Sequence, residues 1–233
     1  MDQVNKQIID FLRELRGHNN REWFLAHKDR FDTLRQAFLE EVQALIARIS
    51  LFDTEVANME AKDCVYRIYR DIRFSPDKSP YKCHFGAYMA LGGHTSQRSG
   101  YYLHLEPDGC LLSGGIWCPP SALLKMLRRD IYDHIEEFAA ILEDPAFKKV
   151  YPGLEGDMLK RMPVGYPSDS PYDFILKHKD FIVASYKPDD FFFSKDWMEK
   201  TVSDFKLLQP FNRFLNYTVD EYLGINYTDP MEY

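Results

Sequence analysis

No apolar run in this sequence approaches the length of a membrane span, which speaks against a transmembrane helix. The opening stretch MDQVNKQIIDFLRELR has mixed charges and lacks the continuous apolar core of a secretion signal, so a cytoplasmic location is expected. Cysteine is sparse: Cys64, Cys83, Cys110 and Cys118 make no C-x-x-C pair. A chain of 233 residues can build its core without covalent staples, so reduced thiols in a reducing compartment are expected. Positive charge is in deficit. A net charge of −7 argues against extended nucleic-acid binding while leaving room for a local basic site. Internal repeats and low-complexity linkers are also missing. The Pro- and Gly-punctuated stretch 145–175 is the one place for a boundary, and it reads better as a surface excursion of a single domain over 1–233. Nothing in the sequence bears on oligomeric state.

What is present is a core-forming composition. Hydrophobic residues make up 45% and aromatics 15%, with 17 Phe and 15 Tyr, which excludes a disordered chain. Ile8, Phe11, Leu12 and Leu15 lie at helical spacing, with Gly17 as a C-cap. Asn19 and Glu22 have the spacing of a capping box, ahead of a long helix that carries Trp23, Phe24, Phe31, Leu34, Phe38, Val42, Leu45 and Ile49 on one face. A β region follows. Cys64 to Arg73 is rich in Val, Ile and Tyr; Phe85 to Leu91 is short and apolar; Tyr101 to Glu106 alternates. Pro107-Asp108-Gly109 turns the chain into a returning strand from Cys110 to Trp117. A third long helix runs from Leu124 to Leu142, Phe181 to Tyr186 is one more strand, and a last helix capped by Ser194 or Asp196 should kink or break at Pro210. Segregated runs of helices and strands predict an α+β fold, a mainly antiparallel sheet flanked by N-terminal and C-terminal helices.

The most distinctive stretch is Arg67 to Lys82, where five basic residues stand against two acidic ones. On a strand, Arg67, Tyr69, Asp71 and Arg73 share one face, while Tyr66, Ile68, Arg70 and Ile72 share the other. Guanidinium groups match phosphate and carboxylate oxygens with paired N–H donors. Arg67, Arg70, Arg73, Lys78 and Lys82 around one turn therefore suit an anion cradle, with Asp71 as orienter or base and Tyr81 as donor. The same residues also suit a salt-bridge network on a solvated edge, in which every arginine is paired with an acid. A third reading is a docking surface for a protein or a nucleic-acid end.

The segment has the pattern R-x-x-R-D-x-R-F-x-x-x-K-x-x-Y, with Arg67, Arg70, Asp71, Arg73, Phe74, Lys78 and Tyr81 at its fixed positions. This resembles the hallmark of a bacterial family of similar length, domain of unknown function 2461. Asn20-Arg21-Glu22-Trp23-Phe24 and Gly100-Tyr101-Tyr102-Leu103 are similar to further elements of that family. The resemblance covers most of the chain and implies that the Arg67–Tyr81 segment is the family's signature, and so the first place to look for a site. It implies no activity.

Other chemistry is thinner. His84, His94, His104, Cys83 and Cys110 lack the H-x-x-x-H or C-x-x-C spacing that preorganises zinc, so no metal and no cofactor are expected. Cys83 and His84 are adjacent, which on a strand sends them to opposite faces rather than into a dyad. His104 shares the polar face of its strand with Tyr102 and Glu106, and serves as acid or base if that face looks toward Arg67 and Arg73. Ser113-Gly114-Gly115 is not followed directly by a helix, which rules out a phosphate loop there. The expected site comprises Arg67, Arg70, Asp71, Arg73, Lys78, Tyr81 and His104, binding a small anionic ligand; whether a reaction follows is left open.

Overall fold

The helical spacing at the N-terminus becomes α1 (Val4–Gly17), with Ile8, Phe11, Leu12 and Leu15 fully buried. Gly17 is itself the last helical residue rather than a cap beyond the helix. The computed structural model describes residues 4–225; the first three residues of the N-terminal reading, and both ends of the 1–233 span, lie outside the described residues.

The two long helices expected from periodicity are each split. The first gives α2 (Arg21–Ala26) and α3 (Lys28–Ile49), and α4 (Ala61–Cys64) is a single turn. The second gives α5 (Ser121–Asp133) and α6 (Ile135–Glu143). The cause is the same in both. His27 and His134 leave helical ψ, and each ring Nδ1 lies within hydrogen-bonding distance of the carbonyl four residues back, 2.8 Å to Trp23 and 3.1 Å to Asp130. Short α7 (Pro145–Val150) and α8 (Asp173–Leu176) punctuate the stretch read as irregular. The last helix, α9 (Trp197–Leu223), is not broken at Pro210, which lies inside it. Leu208, Phe211 and Leu215 on either side of it are fully buried, and that burial offsets the roughly 3 kcal/mol a helical proline costs.

Strands β1 (Phe85–Met89), β2 (Gly100–Leu105), β3 (Leu111–Ile116), β4 (Leu154–Glu155) and β5 (Phe181–Tyr186) form a five-stranded antiparallel sheet in the order β1-β2-β3-β5-β4, so the class is α+β. The turn between β2 and β3 is type II, with Pro107 and Asp108 central. Within the Asp-Gly pair it is Asp108 that takes the positive φ, 62°, and Gly109 N–H closes on the Glu106 carbonyl at 3.0 Å. None of the helices among the described residues is long and apolar enough to cross a membrane.

The chain divides into two compact units. The first draws its described residues from Met1–Thr95, Tyr101–Leu112 and Ser185–Lys206. Its core is a run of rings: Phe24 on Phe31 at 5.0 Å, Phe31 on Phe85 at 5.9 Å and Phe38 on Phe85 at 5.3 Å. The second draws on Ser96–Gly100, Ser113–Ala184 and Leu207–Tyr233. It packs Phe138 against Phe181, Phe211 and Phe214 and buries an Arg98–Asp220 ion pair. Within it Arg128 donates to the carbonyls of Leu176 and His178, at 2.8 and 2.7 Å.

Candidate functional site

The basic segment lies in the first unit, and it is not the strand its composition suggests. The residues from Val65 to Lys82 touch the sheet at one isolated antiparallel bridge, Val65↔Ala87, and fold back on themselves at a second, Tyr69↔Tyr81. Between these bridges one side has the three residues 66–68 and the other the five residues 82–86. The excess forces the chain to bend at Cys83 and His84, as a bulge does when it re-aims side chains. Propensity favours extended backbone here, but a ladder also needs a partner in register. The alternation of faces survives: Arg67, Tyr69, Asp71 and Arg73 are exposed, while Ile68 is buried and Arg70 and Ile72 are half-buried.

Two contacts hold this segment on the helices. Tyr81 is only 4% exposed, and its ring stacks on Phe24 at 4.0 Å. Asn19, expected as a helix cap, instead grips the backbone of Tyr81: its Nδ2 donates to the Tyr81 carbonyl at 2.9 Å and its Oδ1 accepts from the Tyr81 N–H at 3.1 Å. The cap is Asn20, whose side chain accepts from Trp23 N–H at 3.0 Å. The capping-box reading was therefore one residue out of register: Asn19 has Glu22 at the box spacing, but either Asn can serve as an N-cap, and the contact with Tyr81 takes Asn19 away from that role.

The charges fall into two groups. Arg70 pairs with Asp77, and Arg73 pairs with Asp71 through two bonds of 2.9 and 2.6 Å. Asp71 and Asp77 are both held below the ordinary carboxylate range, the first chiefly by its Arg73 bond and the second chiefly by the Ser79 backbone N–H and then by Arg70. Lys78 donates to the Ile72 carbonyl at 3.0 Å. At the tip of this loop Phe74 is 94% exposed beside Arg73. Arg67 and Lys82 are different. Neither makes an ion pair among the described residues, and Lys82 lies over the Tyr66 ring at 5.1 Å. Burial, and then the Arg67 charge, lower the Lys82 pKa.

His84 faces a second group on the polar side of the β1–β2 pair. The register Gly86↔His104 and Tyr88↔Tyr102 sets β2's polar residues against this edge. Gly86 makes room there: a Cβ would lie 2.9 Å from the Tyr102 hydroxyl, so any larger residue would displace the Tyr102 ring. His104 Nδ1 meets Tyr102 Oη at 2.7 Å, and His104 Nε2 meets Glu106 Oε2 at 3.0 Å. The consistent assignment is a neutral imidazole that accepts from the tyrosine hydroxyl and donates to the carboxylate. Arg16 fixes the other Glu106 oxygen at 3.2 Å. The ring of His84 packs on His104 with centroids 4.4 Å apart and makes no hydrogen bond among the described residues. Burial, helped by His104 and Lys82, holds the His84 imidazole down at about 3, and burial also lowers His104 against the pull of Glu106.

Each of His84, His104 and Glu106 offers a ligand atom within 4.8 Å of the others. Spacing along the chain misses this cluster because strand pairing and a bulge assemble it. The one legible trace was the shared polar face of Tyr102, His104 and Glu106. Of the residues expected at the site, Arg70, Asp71 and Arg73 are engaged in ion pairs, Lys78 in the loop and Tyr81 in the core, while Arg67 is exposed and His104 joins His84 and Glu106.

Residues 7–214 match a family model described as "Conserved hypothetical protein (DUF2461)". Comparisons with curated proteins and with solved structures gave no match.

Proposed function

This chain belongs to the DUF2461 family, a membership that names no activity, and we propose that it binds a small anionic ligand, phosphate- or carboxylate-bearing, beside its basic segment. The observation that carries this reading is the division among the cations. A purely structural network pairs every arginine with an acid, as Arg70 and Arg73 are paired. Arg67 and Lys82 make no ion pair among the described residues, Asp71 feeling Arg67 only as a nearby charge, and the Arg67 charge adds to burial in lowering the Lys82 pKa. Two neighbouring cations that form no ion pair repel one another, and an anion seated between them replaces that repulsion with attraction. The reading thus narrows the five cations of the expected cradle to Arg67 and Lys82. It also includes a reducing, cytoplasmic setting, which the four free thiols support.

The test is a thermal-shift panel of inorganic phosphate, nucleotides, sugar phosphates and dicarboxylates against wild type, Arg67→Ala and Lys82→Met. A ligand at 100 times its Kd stabilises the folded state by about 2.7 kcal/mol. One ligand class is expected to raise the melting temperature of wild type and of neither variant. If no class shifts wild type, or if the variants respond equally, the anion reading fails. A docking surface built around the exposed Phe74 then takes its place.

A further inference from the structure

We propose that His84, His104 and Glu106 bind one first-row divalent metal ion, zinc fitting the donors best, on the polar face of the β1–β2 pair. The inference stands on these three side chains alone and does not depend on the anion reading. Two imidazoles and one carboxylate are the donor set of open zinc and related sites, whereas magnesium and calcium prefer oxygen throughout. Ligand atoms around a tetrahedral ion lie roughly 3.3 Å apart, given bonds of about 2.0–2.2 Å. The three donors already lie within 4.8 Å of one another, and His104 Nε2 is 3.0 Å from Glu106 Oε2. Small side-chain rotations close the remaining distance.

The surroundings have the supporting contacts a metal centre uses. Arg16 holds Glu106 Oε1 at 3.2 Å, leaving Oε2 turned toward His104. Tyr102 Oη, 2.7 Å from His104 Nδ1, fixes the ring and suits both proton arrangements. Without metal the hydroxyl donates to Nδ1 and Nε2–H donates to Glu106. With metal on Nε2, the ring proton moves to Nδ1 and donates to the tyrosine oxygen, so His104 releases no proton. His84 makes no hydrogen bond among the described residues, so coordination breaks none of its own. Three protein ligands leave a fourth position open, the arrangement of catalytic rather than structural sites.

The test uses the full chain, stripped with a chelator and kept in a buffer without coordinating anions. Zinc is titrated calorimetrically, and cobalt is followed by its visible absorption. One equivalent is expected to bind. His84→Ala and Glu106→Gln should each weaken binding by at least about tenfold, and Tyr102→Phe by on the order of tenfold, as loss of a supporting contact does. His134→Ala, in the second unit, should leave binding unchanged. Glu106→Gln keeps the shape of the side chain, so the question stays answerable if His84→Ala fails to fold. Absence of saturable binding, or binding that survives both ligand variants, overturns the proposal and leaves the three residues as a hydrogen-bonded relay only. Because no anion is present, this result stands apart from the fate of the anion reading.

Discussion

Two of the protein's arginine–aspartate pairs share one chemistry in opposite surroundings. In the second unit Arg98 and Asp220 have side chains 2% and 6% exposed; in the basic segment of the first, Arg73 and Asp71 are 77% and 46% exposed. The buried pair has given up its hydration and depends on its partner, whereas the exposed pair exchanges one polar contact for water. The conspicuous motif is therefore not where breaking an ion pair costs most. A pair invisible to sequence pattern, joined across more than a hundred residues, is the more damaging one to break. The largest effect predicted follows from this. Asp220→Ala leaves a guanidinium buried without its carboxylate and should cost about 3–5 kcal/mol, read as a large fall in denaturation midpoint. A loss no larger than that of an ordinary surface substitution would break the comparison.

The next effect comes from the contact that fastens the motif. Asn19 supplies both bonds to the Tyr81 backbone, at 2.9 and 3.1 Å, and its Nδ2 also lies 3.3 Å from the Cys83 sulfur. Asn19→Ala strands the Tyr81 N–H and carbonyl in a half-buried place, so about 1–3 kcal/mol should be lost. The same change should speed amide hydrogen exchange in residues 68–82, because local opening of this segment becomes easier. Unchanged exchange there would mean that the Tyr81–Phe24 stack holds the segment without help.

Much of this fold was legible because its elements bury their residues locally. Ile8 to Leu15 repeat at helical steps and all face the core, and Phe181 to Tyr186 has the bounds that its β-rich composition predicts. The errors have a common origin in tertiary partners. The run Cys64 to Arg73 has the residues of a strand, yet the facing chain carries two residues too many between the bridges and no ladder forms. Asn19 and Asn20 cap equally well on paper, and Tyr81 decides between them. Phe24, read as one position on a helix face, is the platform under Tyr81. Among the candidate site residues, arginine density pointed to the right neighbourhood but not to the atoms. His84 lies twenty residues before His104, and only strand register brings the two rings to 4.4 Å.

The smallest effect on stability is predicted for the motif's own pair, and that makes it the most useful for function. Arg73→Ala removes two bonds to Asp71, both from groups in open solvent, so the melting temperature should stay within experimental error of wild type. Such a variant folds normally, and any change in ligand response then reports on recognition rather than structure. If the charge that matters is that of Arg67 and Lys82, Arg73→Ala should keep most of the ligand-induced stabilisation that Arg67→Ala loses. If Arg73→Ala also loses it, the Asp71–Arg73 pair must open on binding, with the guanidinium transferring from aspartate to ligand. A marked fall in melting temperature without ligand would instead return Arg73 to a structural role, and the contrast with the Arg98–Asp220 pair would collapse.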